Sequence, residues 1–236
     1  MRFGVTTIPN VPWDELVSRW RAVDALPGIE SLWIPDHLFK GWYECWAALG
    51  GLACATTRVR LGPLVSPLTS HEPARLARAA VTLDEASGGR LELGIGSGGA
   101  SRRFEGWTAE LADALGDRRI PLTVGGYGET GLRVAARFAH RWNISPDRGV
   151  SRDEARALAR ERNARLDELC ADTGRTVLRS ALIAYPFEAE TPFASDDAWA
   201  EFVGAWEDVG FEELILDYPP RNPGERGLVE KVFGSG

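Results

Sequence analysis

Short apolar runs of strand length alternate along the chain with longer segments whose apolar residues recur at helical spacing. The predicted strands are rich in Val, Ile and Leu, and most end at Gly, Pro or polar residues. They cover residues 2–7, 31–35, 59–66, 90–95, 122–124, 141–145, 178–187 and 213–217. Apolar strands that are each followed by an amphipathic helix predict a parallel sheet covered by helices.

The predicted helices cover residues 14–26, 44–55, 72–87, 107–115, a segment ending at 139, 153–171, 196–209 and 225–233. The third begins at Pro73 and ends at Gly88-Gly89, which are favoured positions for these residues; the helix over 107–115 is weakly patterned. Eight strand–helix units in 236 residues predict a closed α/β barrel, the (β/α)8 TIM barrel, formed by a single domain over 1–236. An open doubly wound sheet is the alternative.

One stretch follows the order strand, glycine-rich turn, helix. Leu122–Val124 is the strand, Gly125, Gly126 and Gly128 form the turn, and a helical stripe follows. Such a turn directs backbone N–H groups and the positive end of a helix dipole at one point, which suits a phosphate. A tight turn without a ligand is the other interpretation, because neither the Walker nor the GxGxxG pattern is matched, and Glu129 would repel an anion unless it points outward.

Composition narrows the function classes. The formal net charge of -7 argues against nucleic acid, and neither a basic run for anionic lipid nor an apolar stretch of the roughly 20 residues of a membrane span is present. The N-terminal residues lack the apolar core of a signal peptide. Cys54 and Cys170 fall on apolar helical stripes, so we expect reduced core cysteines and a cytoplasmic protein.

Active sites of such barrels lie on the loops that follow the strands, and elimination limits the chemistry there. Lys40 and Lys231 are the only lysines, and neither ends a strand, so Schiff-base chemistry has no candidate. The three histidines never form a close pair, so we expect no metal site. Ser97 lies between glycines but lacks obvious partners for a nucleophile. The remaining small and polar strand ends are typical of an enzyme whose organic cofactor carries the reaction.

Several stretches resemble the bacterial-luciferase-like monooxygenase family, which includes FMN-dependent monooxygenases and enzymes that use the deazaflavin coenzyme F-420. They are SLWIPDH at 31–37, TRVRLG at 57–62 with VSP at 65–67, LDEASGGRLELGIG at 83–96, and GG at 125–126 followed by AARFAHRWN at 135–143. The resemblance covers the first 100 residues and 120–143 well, and the C-terminal third only in pattern. It implies the same barrel.

The resemblance also implies where a flavin-type cofactor would bind. Its ring would lie over the strand ends, with the phosphate near Gly125–Gly128. Val65-Ser66 would form a bulge against the ring, where a non-proline cis peptide bond is expected. His37 would face the reactive side and hydrogen-bond a substrate oxygen or move a proton, while Asp36 orients it or bonds the following loop. The expected cofactor contacts are Thr6, Val65, Ser66, Gly96, Ser97, Gly125, Gly126, Tyr127, Gly128 and Asn143.

The connection from Gly98 to Ile120 departs from the family pattern because it is short, whereas resembling enzymes have a longer lid or wall there. Gly99 stands where members that oxidise a sugar phosphate carry an acid, which disfavours that reaction. A flavin hydroperoxide needs water excluded, so the short connection favours hydride transfer with coenzyme F-420 over FMN chemistry.

Two other functions remain open at this point. One is a non-catalytic flavin-binding protein with a truncated barrel, and the other is an unrelated phosphate-binding barrel enzyme. For the enzyme we expect a small-molecule substrate, and a partner flavin reductase if the cofactor is FMN. Exposed faces around Trp42, Trp46 and Trp107 lead us to expect a homodimer.

Overall fold

The computed structural model describes residues 1–39, 41–145, 150–183, 192–220 and 226–234. The strands are β1 (Arg2–Thr6), β2 (Ser31–Ile34), β3 (Arg60–Pro63), β4 (Ser66–Pro67), β5 (Leu93–Gly96), β6 (Leu122–Gly125), β7 (Arg141–Ile144), β8 (Leu178–Ile183) and β9 (Glu213–Asp217). The helices are α1 (Trp13–Asp24), α2 (Cys45–Ala55), α3 (Pro73–Ser87), α4 (Ser101–Leu115), α5 (Glu129–Phe138), α6 (Arg152–Thr173), α7 (Asp196–Glu207) and α8 (Arg226–Gly234). The last four residues of the predicted strand 178–187, and residue 225 of the last predicted helix, lie outside the described residues.

The strands form one parallel sheet that closes into a barrel. Its order is β3-β2-β1-β9-β8-β7-β6-β5-β4. The two ends meet because Leu61 of β3 pairs with Leu91 just before β5, and β4 pairs with β5. β3 and β4 are therefore two parts of the single strand predicted over 59–66, and the barrel has eight strand positions. The (β/α)8 prediction is confirmed, and this closure contradicts the open-sheet alternative.

Apolar side chains form two separate clusters. The large one lies between the strands and the surrounding helices. The small one fills part of the barrel interior and consists of Trp33, Leu64 and Ile215, with Val65 and Leu182 against them. Side chains alternate across each strand, so the other inward positions are taken by small, polar and charged residues.

Two glycines allow the backbones of β3 and β5 to come close where the barrel closes. A Cβ atom at Gly62 would lie 1.9 Å from the Glu92 carbonyl oxygen, and one at Gly94 would lie 2.0 Å from the Pro63 carbonyl oxygen. No side chain fits at either position without moving backbone. This close approach carries the following residues, 64–67, across the carboxyl ends of the strands.

A buried ion cluster occupies the opposite, amino end of the barrel. Arg141, the first residue of β7, pairs with Glu92 and with Glu213, where Nε lies 2.8 Å from Oε2. Its guanidinium also lies 5.4 Å from the centre of the Trp33 ring. Ser31 donates a hydrogen bond of 3.2 Å to Glu213. Burial raises the pKa of Glu213, and the charge of Arg141 opposes that rise.

The connection after β5 holds a longer helix than the sequence pattern predicted. Helix α4 begins at Ser101 rather than at Trp107. Phe104, Thr108 and Leu111 are its buried residues and recur at helical spacing. The earlier turn was missed because arginines and glycine surround Phe104 in the sequence. The whole connection nevertheless consists of this one helix and its short flanks.

The expectation that Cys54 belongs to the core is wrong. Cys54 is exposed, whereas Cys45 and Cys170 are buried, and all three are free thiols. Cys54 follows the buried Ala53, and one helical step of about 100° turns it away from the barrel.

His140, which follows α5, acts as a hydrogen-bond acceptor. Its Nδ1 accepts a hydrogen bond of 3.1 Å from the Leu122 N–H group. Burial, and then the charge of Arg175, lower the pKa of His140. It therefore stays neutral at pH 7 and fixes the start of β6.

No helix within the described ranges is long and apolar enough to cross a membrane.

Candidate active site

The predicted site residues gather at the carboxyl ends of the strands. Val65 lies at the centre of this group, directly after a non-proline cis peptide bond between Leu64 and Val65. A Cβ atom at Gly96 would lie 2.7 Å from Val65 Cγ2, and one at Gly125 would lie 2.9 Å from Val65 Cγ1. The structure therefore brings Val65, Gly96 and Gly125 together at the barrel mouth, where the resemblance placed a bulge and a cis bond.

The glycine-rich turn connects β6 to α5 beside this group. Gly126 has a φ of +128°, a conformation that L side chains rarely adopt. Its N–H group donates a 3.0 Å hydrogen bond to the Asn143 carbonyl oxygen, and its carbonyl oxygen accepts a 2.6 Å bond from the Trp142 indole. The turn is thus anchored to β7 on both sides.

The end of α5 at this turn is open. Its N-cap residue is Gly128, and no side chain caps the helix. The first N–H groups of a helix have no partner within the helix. A Cβ atom at Gly126 or Gly128 would meet nothing within 4 Å, and Tyr127 between them is 52% exposed. The turn therefore offers free backbone donors and space for an anion.

Glu129, the first residue of α5, forms an ion pair with an arginine of another helix. Arg165 of α6 contacts its carboxylate with two nitrogens, at 2.8 Å and 3.2 Å. The hydrogen bond and charge of Arg165 lower the pKa of Glu129. Its carboxylate is paired with α6, which limits its repulsion of an anion at the turn.

Asp36, which follows β2, joins two connections at the barrel mouth. Its Oδ2 atom accepts a 2.5 Å hydrogen bond from the Ser66 hydroxyl and lies 2.8 Å from His71 Nε2. The Ser66 hydroxyl in turn accepts a 3.1 Å bond from the Trp46 indole. Burial raises the pKa of Asp36, but the hydrogen bonds from His71 and Ser66, with the charges of His71 and His37, bring it below its ordinary value. Asp36 is therefore an ionised, buried carboxylate.

His37 is exposed at the rim. Its ring packs against Phe39 and Trp42, with centroid distances of 5.4 Å and 6.2 Å. The described hydrogen bonds of the Asp36 carboxylate go to Ser66 and His71. The role of Asp36 in orienting His37 stays a prediction.

Three further predicted cofactor contacts, besides Ser66 and Gly126, make hydrogen bonds within the protein. Thr6 donates to the Trp33 carbonyl oxygen at 3.3 Å. The Ser97 hydroxyl accepts a 3.4 Å bond from the Gly99 N–H group. The Asn143 amide donates to Ser180 at 2.8 Å inside the barrel. Their contact with a ligand stays a prediction.

Sequence reasoning missed His71 as a member of this site. The signal was a titratable side chain four residues after the end of β4, on the side of the barrel where active sites form. Among the residues described, no group of three or more His, Cys, Asp or Glu residues could hold a metal ion.

Comparison with known proteins supports the resemblance. Residues 1–119 match the family model described as luciferase-like monooxygenase. The 4-hydroxyprotoasukamycin monooxygenase of Streptomyces nodosus subsp. asukaensis is 37% identical over 106 residues, which are 41% of this chain and 29% of that protein. Matches to the curated relatives span less than a third of their length.

Solved structures show the same fold over nearly the whole chain. The coenzyme F-420 dependent tetrahydromethanopterin reductase from Methanopyrus kandleri superposes with a TM-score of 0.77 at 15% identity, covering 98% of this chain and 96% of that one. The oxygenating constituent of 3,6-diketocamphane monooxygenase from Pseudomonas putida, solved with FMN, gives 0.67 at 14% identity, covering 97% and 96%. With a family model that matches half of its residues, this chain belongs to the luciferase-like monooxygenase family.

Proposed function

We propose that the protein is an oxidoreductase that uses coenzyme F-420, or alternatively FMN, to oxidise or reduce a small organic substrate. The observation that carries this proposal is the union, at one barrel mouth, of Val65 packed on Gly96 and Gly125 with the open turn Gly126–Gly128. A flat ring needs a surface without large side chains, and the phosphate of its side chain needs backbone donors at a fixed distance from that surface. Family membership excludes the unrelated phosphate-binding barrel enzyme.

Each predicted residue then has a defined task. The N–H groups at the start of α5 would hold the phosphate, and Val65 would support the ring. Thr6, Ser66, Ser97 and Asn143 would contact its polar edge, and His37 would move a proton at the substrate oxygen. When bound, the cofactor supplies a carbon or nitrogen centre that accepts or gives a hydride.

The short connection after β5 favours the deazaflavin. Only α4 separates the strand ends Gly96 and Leu122, so the chain between them supplies little to cover a reactive centre from water. Oxygen chemistry on a flavin requires such cover, whereas direct hydride transfer tolerates more solvent. If FMN is the cofactor, we propose that a separate flavin reductase supplies it in reduced form.

The first test is a fluorescence titration of the purified apoprotein with oxidised coenzyme F-420 and, separately, with FMN. We expect the deazaflavin to bind more tightly. Gly128→Asp should weaken binding at least tenfold, because an aspartate at an N-cap accepts from the first-turn N–H groups and repels the phosphate. Gly128→Ala is the matched control and should bind normally, since the φ of Gly128 is -75° and the space beside it is empty.

The outcomes separate the candidate functions. If FMN alone binds tightly, the cofactor is FMN and not coenzyme F-420. Binding of neither cofactor would contradict the proposal. A substrate screen without oxygen, which follows the spectrum of the cofactor, separates an enzyme from a non-catalytic flavin store. Steady consumption of reduced cofactor excludes the store.

We also propose a homodimer, formed through the outer faces of α2 and α3. A groove of about 650 Å³ runs between these helices. Trp46, Gly50 and Arg75 lie along it, and Trp46 is half-buried within the chain. Trp42 and Trp107 are covered differently, by the Phe39 ring and by the Arg103 guanidinium. Tryptophan and arginine are both enriched at protein–protein interfaces, so a groove lined by Trp46 and Arg75 suits a second chain.

Light scattering at micromolar concentration should therefore give the mass of two chains. Gly50→Arg should lower it toward one chain, because nothing lies within 4 Å of a Cβ at Gly50 in the monomer and the substitution fills only the interface. A monomeric wild-type protein would contradict the dimer.

A further inference from the structure

A chain of hydrogen bonds connects the barrel mouth with the outer surface of the protein. Asp36 is 8% exposed and Ser66 is fully buried, whereas His71 also lines an outer groove of about 490 Å³ between α2 and α3. His71 thus touches the groove on one side and Asp36 on the other. His71 links this groove to Asp36 directly, whereas Trp46, which also lines the groove, reaches Asp36 through Ser66.

The backbone around His71 holds its ring in place. The next residue, Glu72, is the N-cap of α3, and its carboxylate accepts hydrogen bonds of 3.0 Å from Ala74 N–H and 2.9 Å from Arg75 N–H. Pro73 then occupies the first turn of the helix. His71 therefore projects from the fixed start of a helix, and its Nε2 meets Asp36 with little freedom to move.

We propose that His71 is a positioning residue of the candidate active site: it holds the Asp36 carboxylate from outside, and through Asp36 it fixes the loop that carries His37. This inference rests on the proposed function of the barrel mouth. The geometry supports it because Asp36 precedes His37 directly, and because its Oδ2 atom takes bonds from two different elements, β4 and the β4–α3 connection. Without His71, only Ser66 among these two donors would remain on a buried carboxylate.

Other charged and titratable groups surround this contact. His37 acts on Asp36 through its charge. The thiol of Cys45 lies close enough for the charge of Asp36, after burial, to raise its pKa. The groove side of His71 is lined by further charged residues, namely Glu44, Glu72 and Arg75.

The test compares two substitutions that differ in one hydrogen bond. His71→Phe keeps a ring but has no donor, and His71→Gln keeps an N–H donor near the position of Nε2. With only three histidines in the chain, the imidazole NMR signals of His37 can be assigned with a His37→Asn variant and followed without any ligand. We expect His71→Phe to shift or broaden the His37 signals, and His71→Gln to leave them near those of the wild type.

His140→Asn is the matched control, because His140 lies at the amino end of the barrel and Asn can still accept from Leu122. It should leave the His37 signals unchanged. If His71→Phe does not fold, Asp36→Asn tests the same contact from the other side. It should change the His71 signals and leave those of His140 in place.

A pH profile adds a readout that a structural role alone would not move. Loss of the His71 bond lets burial dominate, so the pKa of Asp36 rises. The contribution of ionised Asp36 is present at high pH and is lost as the pH falls through its pKa in the folded state. In His71→Phe this loss should therefore occur at a higher pH than in the wild type, seen as the acid limb of kcat or of cofactor affinity.

Different results would overturn the role of His71 and the proposed function of the barrel mouth. Unchanged His37 signals in a folded His71→Phe, or equal effects of Phe and Gln, would overturn the role of His71. If His71→Phe does not fold, unchanged His71 signals in Asp36→Asn would overturn it. Binding of neither cofactor would remove the proposed function, yet the NMR comparison would still decide whether His71 fixes the His37 loop.

Discussion

Replacing Arg141 with methionine is expected to lower the free energy of unfolding by about 3–5 kcal/mol, since its removal leaves the buried Glu213 carboxylate without its cation. Glu92 keeps a second cation, Arg60. Arg141 is 7% exposed, and its two carboxylate partners, Glu92 and Glu213, are 5% and 1% exposed. Methionine matches much of the length of arginine, so the substitution removes the charge with limited change in volume. Urea unfolding followed by tryptophan fluorescence measures the loss.

A surface ion pair provides the control for this prediction. Arg118 lies 2.6 Å from Glu85, and both side chains are more than half exposed. Exposed pairs contribute at most about 1 kcal/mol, so Arg118→Met should change the unfolding free energy little. If the unfolding free energies of Arg141→Met and Arg118→Met differed by less than about 1 kcal/mol, the buried ion cluster would contribute no more to stability than a surface pair.

The loss in Arg141→Met should depend on pH. The pKa of Glu213 is raised in the folded state, so its contribution to stability falls as the pH rises from its ordinary value through the raised one. Without Arg141 the pKa rises further. The difference between variant and wild type should therefore be smaller at about pH 5, where more of Glu213 is protonated, than at pH 8.

The periodic pattern of the sequence was sufficient to predict the barrel but not the contents of its interior. Each strand and helix can be predicted from the residues of its own segment, and the eight strand positions follow from their alternation. The pairing of Arg141 with Glu92 and Glu213 depends on which strands are neighbours after closure. The wrong expectation for Cys54 has a related cause. Apolar neighbours along α2 do not show which side of the helix faces the strands.

In the candidate site, too, some features could be predicted from the sequence and others depend on the folded arrangement. Family resemblance placed a bulge at Val65 and a turn at Gly125–Gly128, and the structure brings these elements together. The contact of His71 with Asp36 was not predicted, because it depends on how the start of α3 docks against the end of β2. The position of His71 after β4 marks it as a candidate site residue, but the sequence does not show that its partner lies 35 positions away.

The second large effect is expected at His37. His37→Asn should lower kcat by about 10²- to 10⁴-fold, the range typical of a lost general acid or base. Imidazole is the side chain that can both give and take a proton near neutral pH, and His37 is the histidine that lies exposed at the rim of the mouth. The rate is measured as the change in cofactor absorbance with the best substrate of the anaerobic screen.

Cofactor affinity distinguishes a chemical role of His37 from a structural one. The ring of His37 packs on Phe39 and Trp42 at the rim, away from the proposed phosphate turn, so the dissociation constant of the cofactor should change less than about threefold, or 0.7 kcal/mol. His140→Asn, at the far end of the barrel, should leave kcat unchanged. An equal loss of kcat in both variants would assign the effect to folding. Full activity in His37→Asn would move the proton step to another residue, because a general acid or base cannot be removed without a change in the rate that it controls.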